Sequence, residues 1–101
     1  MYIYNITSKV DWQIHDAWLQ WIKESFSPDM LKTGCFHESR IVKLLEVDET
    51  DGPTYAIQFT AADIADYNRY KEIFASAQNR KYFSAWGEQV VSFSSLMQIV
   101  H

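Results

Sequence analysis

A chain of 101 residues that is 48% hydrophobic and 16% aromatic has room for one domain and enough apolar side chain to bury a core without staples. Thirteen acidic residues against nine scattered basic ones give a net charge of −4, and no nucleic-acid partner is expected, because phosphate backbones are bound by clustered Lys and Arg. The one cysteine, Cys35, excludes an internal disulfide and reads as reduced and buried.

The chain starts Met1-Tyr2-Ile3-Tyr4-Asn5, without the basic start and small-residue cleavage site of a leader, and no apolar run approaches the ~20 residues of a membrane span. A cytoplasmic protein with no membrane partner is the expectation. Tyr2 to Ser8 alternates aromatic and β-branched residues with period two and predicts a strand. Asp11 then caps a helix to about Ser25 with Ile14, Trp18, Trp21 and Ile22 on one stripe, widened by Leu19 and Phe26. Ser27-Pro28-Asp29 carries the marks of a second helix start, and Gly34 those of its end.

Phe36 to Val47 predicts a second strand, apolar on both parities: Ile41, Leu45 and Val47 on one, Val42 and Leu44 on the other. The acidic run Glu46 to Asp51 with Gly52-Pro53 makes a hairpin loop, and its spacing matches no calcium loop. Thr54 to Thr60 alternates as a third strand. Thr60 and Asp63 resemble a capping box for a helix with Ile64, Tyr67, Phe74 and Ala75 on one face. A separate helical turn, Arg80 to Trp86, ends at Gly87. The last strand, Glu88 to Val100, is again apolar on both parities and unusually long, ~44 Å if fully extended.

Strand, helix, strand, strand, helix, strand is the order of an α+β, ferredoxin-like βαββαβ domain, with two helices on one face of a four-stranded antiparallel sheet. Two strands apolar on both sides would leave several hundred Å² of greasy sheet in water, so a homodimer that covers this face is expected.

Four stretches also resemble a known family: Met1-Tyr2-Ile3-Tyr4-Asn5-Ile6-Thr7, Trp18-Leu19-x-Trp21, Pro28-Asp29-Met30-Leu31-x-Thr33-Gly34-x-Phe36 and Thr54-Tyr55-x-x-Gln58-Phe59. Together they are similar to domain-of-unknown-function family 4286 of the dimeric α+β barrel superfamily. The resemblance covers nearly the whole chain and implies a homodimer whose sheets face each other around a barrel, with a cleft between each sheet and its first helix. It also implies a histidine two residues before the Pro-Asp pair, a position that Phe26 occupies here.

No residues form a catalytic or metal-binding constellation. His15, His37 and His101 share no ligand spacing with one another or with Cys35, and there is no nucleophile elbow, phosphate loop or dinucleotide fingerprint, so neither metal nor cofactor is expected. A haem-degrading variant would need a histidine on the second helix, and Asp63 to Gln78 contains none. Asn5 stands mid-strand where Asn is depleted, and Gln58 occupies the same kind of position in the third strand. These two amides either satisfy each other or contact a ligand. Trp21, Phe26 and Met30 either wall the same cleft or pack the core.

Two functions remain. The domain is a non-catalytic homodimer that binds a small apolar molecule or a protein, or it is a cofactor-independent monooxygenase- or isomerase-like enzyme acting on a small apolar molecule in the cleft. Phe26 in place of the histidine favours the first.

Overall fold

The computed structural model describes residues 1–101. Strand β1 (Tyr2–Val10) leads through a tight 3₁₀ turn, Trp12–Ile14, into α1 (His15–Trp21). A wide π-helical turn, Ile22–Phe26, joins α1 without a break to α2 (Ser27–Lys32). Strands β2 (Glu38–Lys43) and β3 (Thr54–Ala61) form a hairpin, and α3 (Ile64–Arg69), a second π turn at Tyr70–Phe74 and α4 (Ala75–Trp86) make the second helical segment. Strand β4 (Val90–Gln98) ends the fold. The sheet is wholly antiparallel in the order β2-β3-β1-β4, so the first and third strands are central. This is the expected ferredoxin-like α+β architecture.

Register explains which side chains meet. Tyr4 lies opposite Phe59, Ile6 opposite Ile57 and Ser8 opposite Tyr55, and because alternate strand residues share a face, all six project towards the helices. There they meet Trp18, Ile22, Phe26, Met30 and Tyr70, each at most 2% exposed. Rings of Tyr4, Phe36, Phe59 and Tyr70 pack with centroids 5.0 to 6.1 Å apart, in the tilted or offset geometries that aromatic quadrupoles favour. Cys35 is free and buried.

Several expected boundaries move. The helix starting at Asp11 does begin with that residue, whose carboxylate accepts from the Gln13 amide. It does not stop at Ser25, however, and Ser27 caps nothing: it is helical itself, and its buried hydroxyl has no partner. The Ser27 amide instead reaches back to the Ile22 carbonyl, and this widened turn accommodates Pro28, which lacks an N–H and whose ring crowds the preceding carbonyls of an α-helix. Asp63, not Thr60, caps the second helix by accepting from the Ala65 amide, while Thr60 remains in β3. The turn at Arg80 to Trp86 is the end of α4 rather than a separate element, and Gly87 closes it at φ 57°, a conformation that favours glycine.

The outer strands are shorter than read. β2 stops at Lys43, and Leu45 and Val47 belong to the exposed loop. That loop is held by Asp48, which accepts from both the hydroxyl and the amide of Thr50; these bonds keep its carboxyl below the usual carboxylate range. β4 has nine residues, and only Ile99 beyond it keeps a sheet-like bond, to the Met1 carbonyl.

Candidate functional site

The five candidate residues separate across the sheet. Asn5 and Gln58 are register partners, and their parity places them on the face away from the helices. The Gln58 amide donates to Asn5 Oδ1 at 3.3 Å, and Asn5 Nδ2 donates to Thr7 Oγ1 at 2.9 Å. Trp21, Phe26 and Met30 lie on the other side, where Trp21 stacks on Phe26 with centroids 5.3 Å apart and Met30 is fully buried. One cleft lined by all five is therefore excluded by strand parity: the amides and the aromatic residues look in opposite directions.

Phe26 alone of the five faces the main cavity. This space, about 680 Å³, lies on the helical side of the sheet between β1, β4 and α4. Tyr4 and Ile6 form its floor, Val90, Ser92 and Ser94 its strand wall, and Asn79, Tyr82 and Phe83 its helical wall, with Gly87 and Glu88 at one end and Val91 and Phe93 at the rim. The cleft implied between sheet and first helix is thus displaced to the last helix, with Phe26 as the contribution of the first helical segment.

Sequence reading missed the polar part of this cavity. Trp18 Nε1 donates to Tyr82 Oη at 2.8 Å, Tyr82 Oη lies 2.9 Å from Ser8 Oγ, and Ser8 Oγ lies 2.7 Å from Ser92 Oγ. Ser8 is fully buried and Ser92 lies on the cavity wall. Burial pushes the Tyr82 phenol above its ordinary range, and its Ser8, Ser92 and Trp18 neighbours offset part of that rise. Burial likewise raises Tyr4, with the Ser94 hydroxyl working against it, and raises Tyr70 further still. All three phenols are neutral at pH 7. The available signal was the small polar residue at core parity: Ser8 continues the Tyr4, Ile6 row of β1, and Ser92 and Ser94 sit between Val90 and Leu96.

A second polar group lies at the β1–α1 junction, where His15 Nε2 is 2.7 Å from Tyr55 Oη and His15 Nδ1 is 3.0 Å from Asp16 Oδ1. The imidazole stacks on the Tyr55 ring and meets Trp12 edge-on, so His15 packs and bonds. Nowhere do three or more His, Cys, Asp or Glu side chains gather in a way that could hold a metal ion, and no helix is long and apolar enough to cross a membrane.

A βαββαβ sheet with a mainly apolar cavity under its edge strand defines an α+β domain of the ferredoxin-like class. The chain belongs to the family described as Domain of unknown function (DUF4286), whose model matches residues 1–100. Among solved structures it is similar in fold to an EthD-family protein of Bacillus halodurans, with a TM-score of 0.63, 8% identity, and coverage of 94% of this chain and 97% of that one. It is also similar to a hydroxynitrile lyase of Passiflora edulis, with a TM-score of 0.57, 18% identity, and coverage of 99% and 96%. A structural-genomics protein of Agrobacterium tumefaciens matches with a TM-score of 0.57, 10% identity, and coverage of 98% and 94%. At such identities the likeness is one of fold. A search of curated protein sequences finds no match to this chain.

Proposed function

We propose that the protein is a non-catalytic, homodimeric binding module for a small, largely apolar molecule held in the cavity between β1, β4 and α4. The observation that carries the reading is the cavity itself: about 680 Å³, walled by aromatic and aliphatic side chains with a few hydroxyls among them, which is the size and composition of small-ligand sites. Glu88 is the one carboxylate on its lining, no histidine reaches it, and the buried phenols stay protonated. Binding without proton-transfer chemistry fits this inventory. Self-association fits the uncovered sheet face and gives the homodimer a physical reason.

Native mass spectrometry of the purified protein tests the proposal. Wild type is expected to retain or take up neutral compounds of a few hundred daltons from a mixed library, with a rise in melting temperature. Ser94→Trp, which places an indole in the cavity from an exposed strand position, is expected to lose that uptake while remaining folded. Equal uptake by the folded variant and wild type would place the ligand elsewhere, and no uptake by wild type would remove the reading.

A further inference from the structure

We propose that the cavity takes a neutral, ring-bearing molecule with a hydrogen-bond-accepting oxygen, and that the Ser92 hydroxyl donates to that oxygen. This rests on the reading of the cavity as a small-molecule site and adds the chemistry of its occupant.

Each hydroxyl in the chain carries one proton, and their directions are fixed in turn. Indole nitrogen is a donor only, so Tyr82 Oη accepts from Trp18. The phenol has one hydrogen of its own, and its neighbour in line is Ser8 Oγ. If Ser8 donated to Tyr82 instead, the phenol would accept twice and its hydrogen would be left to the neighbouring Ser92 hydroxyl, which stands in hydrogen-bond geometry to Ser8 and not to the phenol, a loss that desolvated polar groups pay for heavily. Tyr82 therefore donates to Ser8, and Ser8, whose only other partner is Ser92, passes its hydrogen to Ser92 Oγ. One hydrogen is left over. It belongs to Ser92, the only member of the chain that is solvent-exposed, and it lies on the cavity wall.

Each donor in such a run polarises the next, so the terminal hydroxyl is a better donor than an isolated serine. The end of the relay therefore selects an acceptor, such as a ketone or ether oxygen. The rest of the lining sets the remainder of the molecule. Phe26, Tyr82, Phe83 and Val90 offer ring faces and aliphatic edges to an aromatic or alicyclic body. No Lys, Arg or His lines the space, and Glu88 is its one charge, so a carboxylate or phosphate would be desolvated beside a negative charge with no cation to meet it.

Equilibrium dialysis with three probes of one shape decides the matter: 2-acetylnaphthalene, 2-isopropenylnaphthalene, in which a methylene replaces the oxygen, and 2-naphthoate. Wild type is expected to bind the ketone about tenfold more tightly than the alkene, the ratio that one net hydrogen bond supplies, and to bind naphthoate more weakly than either. Ser92→Ala is expected to abolish the ketone's advantage and leave the alkene's affinity unchanged, which also shows that the cavity is intact. Equal binding of ketone and alkene by wild type, a ratio that survives Ser92→Ala, or preference for naphthoate would overturn the donor assignment while leaving the cavity a binding site. Failure of all three probes to bind saturably would overturn the binding reading and the assignment with it.

Discussion

Replacing Asn5 by Ala removes one amide from a small polar patch on the outer face of the sheet, where its partners Gln58 and Thr7 are only half-buried. Water can reach the groups left behind, so the loss should sit near the lower end of the range for a broken buried pair, about 1 kcal/mol, read as a shift in the urea midpoint. A loss above about 3 kcal/mol would mean that the amide is sealed in the core. The three raised phenols give a second residue-scale prediction. In the unfolded chain Tyr4, Tyr70 and Tyr82 ionise near pH 10, whereas burial holds each of them protonated above that in the fold. Above pH 10 the unfolded state therefore carries fewer protons than the native one, and stability falls as pH rises. Below pH 10 their contribution is complete. Absorbance at 295 nm should show these phenolates appearing together with the loss of tertiary circular dichroism; their titration in a still-folded protein would contradict the burial.

Gly52 shows how much of an element depends on one backbone position. A methyl group there would stand 1.7 Å from the Val10 carbonyl oxygen at φ 156°, in the contact where Val10 donates to the Pro53 carbonyl and β1 is tied to the β2–β3 loop. Gly52→Ala is expected to cost ~2 kcal/mol or more, measured by urea unfolding, while Gly87→Ala, with open space around it, should cost only the strain of its positive φ. The strands and both helical segments were legible from period alone, because Tyr4, Ile6, Phe59 and Trp18 repeat at spacings that only one geometry buries. Boundaries were less so. Ser27-Pro28-Asp29 has every local mark of a helix start, yet Phe26 and Met30 both belong to the core, and a π turn costs less than a break that would expose either. The same competition sets the end of β2: Leu45 and Val47 look like strand residues locally, but the sheet beyond Lys43 has no core left to offer them. Of the site, the paired amides were readable as mid-strand anomalies. The serine relay was not, because Ser8 stands 74 residues from Tyr82 and 84 from Ser92 and meets them only through the fold.

At the scale of the molecule, the shortest principal extent is 19 Å, enough for one sheet and one layer of helices at the ~10 Å spacing of packed layers. The outer sheet face therefore has no cover of its own. On it the register places Val91 opposite Lys9, Phe93 opposite Thr7, Met97 opposite Ile3 and Val42 opposite Ala56, and Val91 and Phe93 are 68% and 64% exposed. Four strands ~4.8 Å apart and about eight residues long span roughly 500 Å² in projection, and rather more as accessible surface, which approaches the ~800 Å² per partner of a stable interface. Charge does not oppose packing this face on a copy of itself, since Arg40 pairs with Glu38 at 3.4 Å and leaves mainly Lys9. A twofold pair is thus the simplest cover, and light scattering at micromolar concentration is expected to give about twice the 11.9 kDa chain mass. Phe93→Asp and Val42→Asp each put a carboxylate into that face, where desolvation without a partner is costly, and should move the population to monomer while the helix-side core stays intact. A monomeric wild type would remove the dimer from the reading of function; dimeric variants with unchanged melting would move the interface to another surface, such as the free edge of β4.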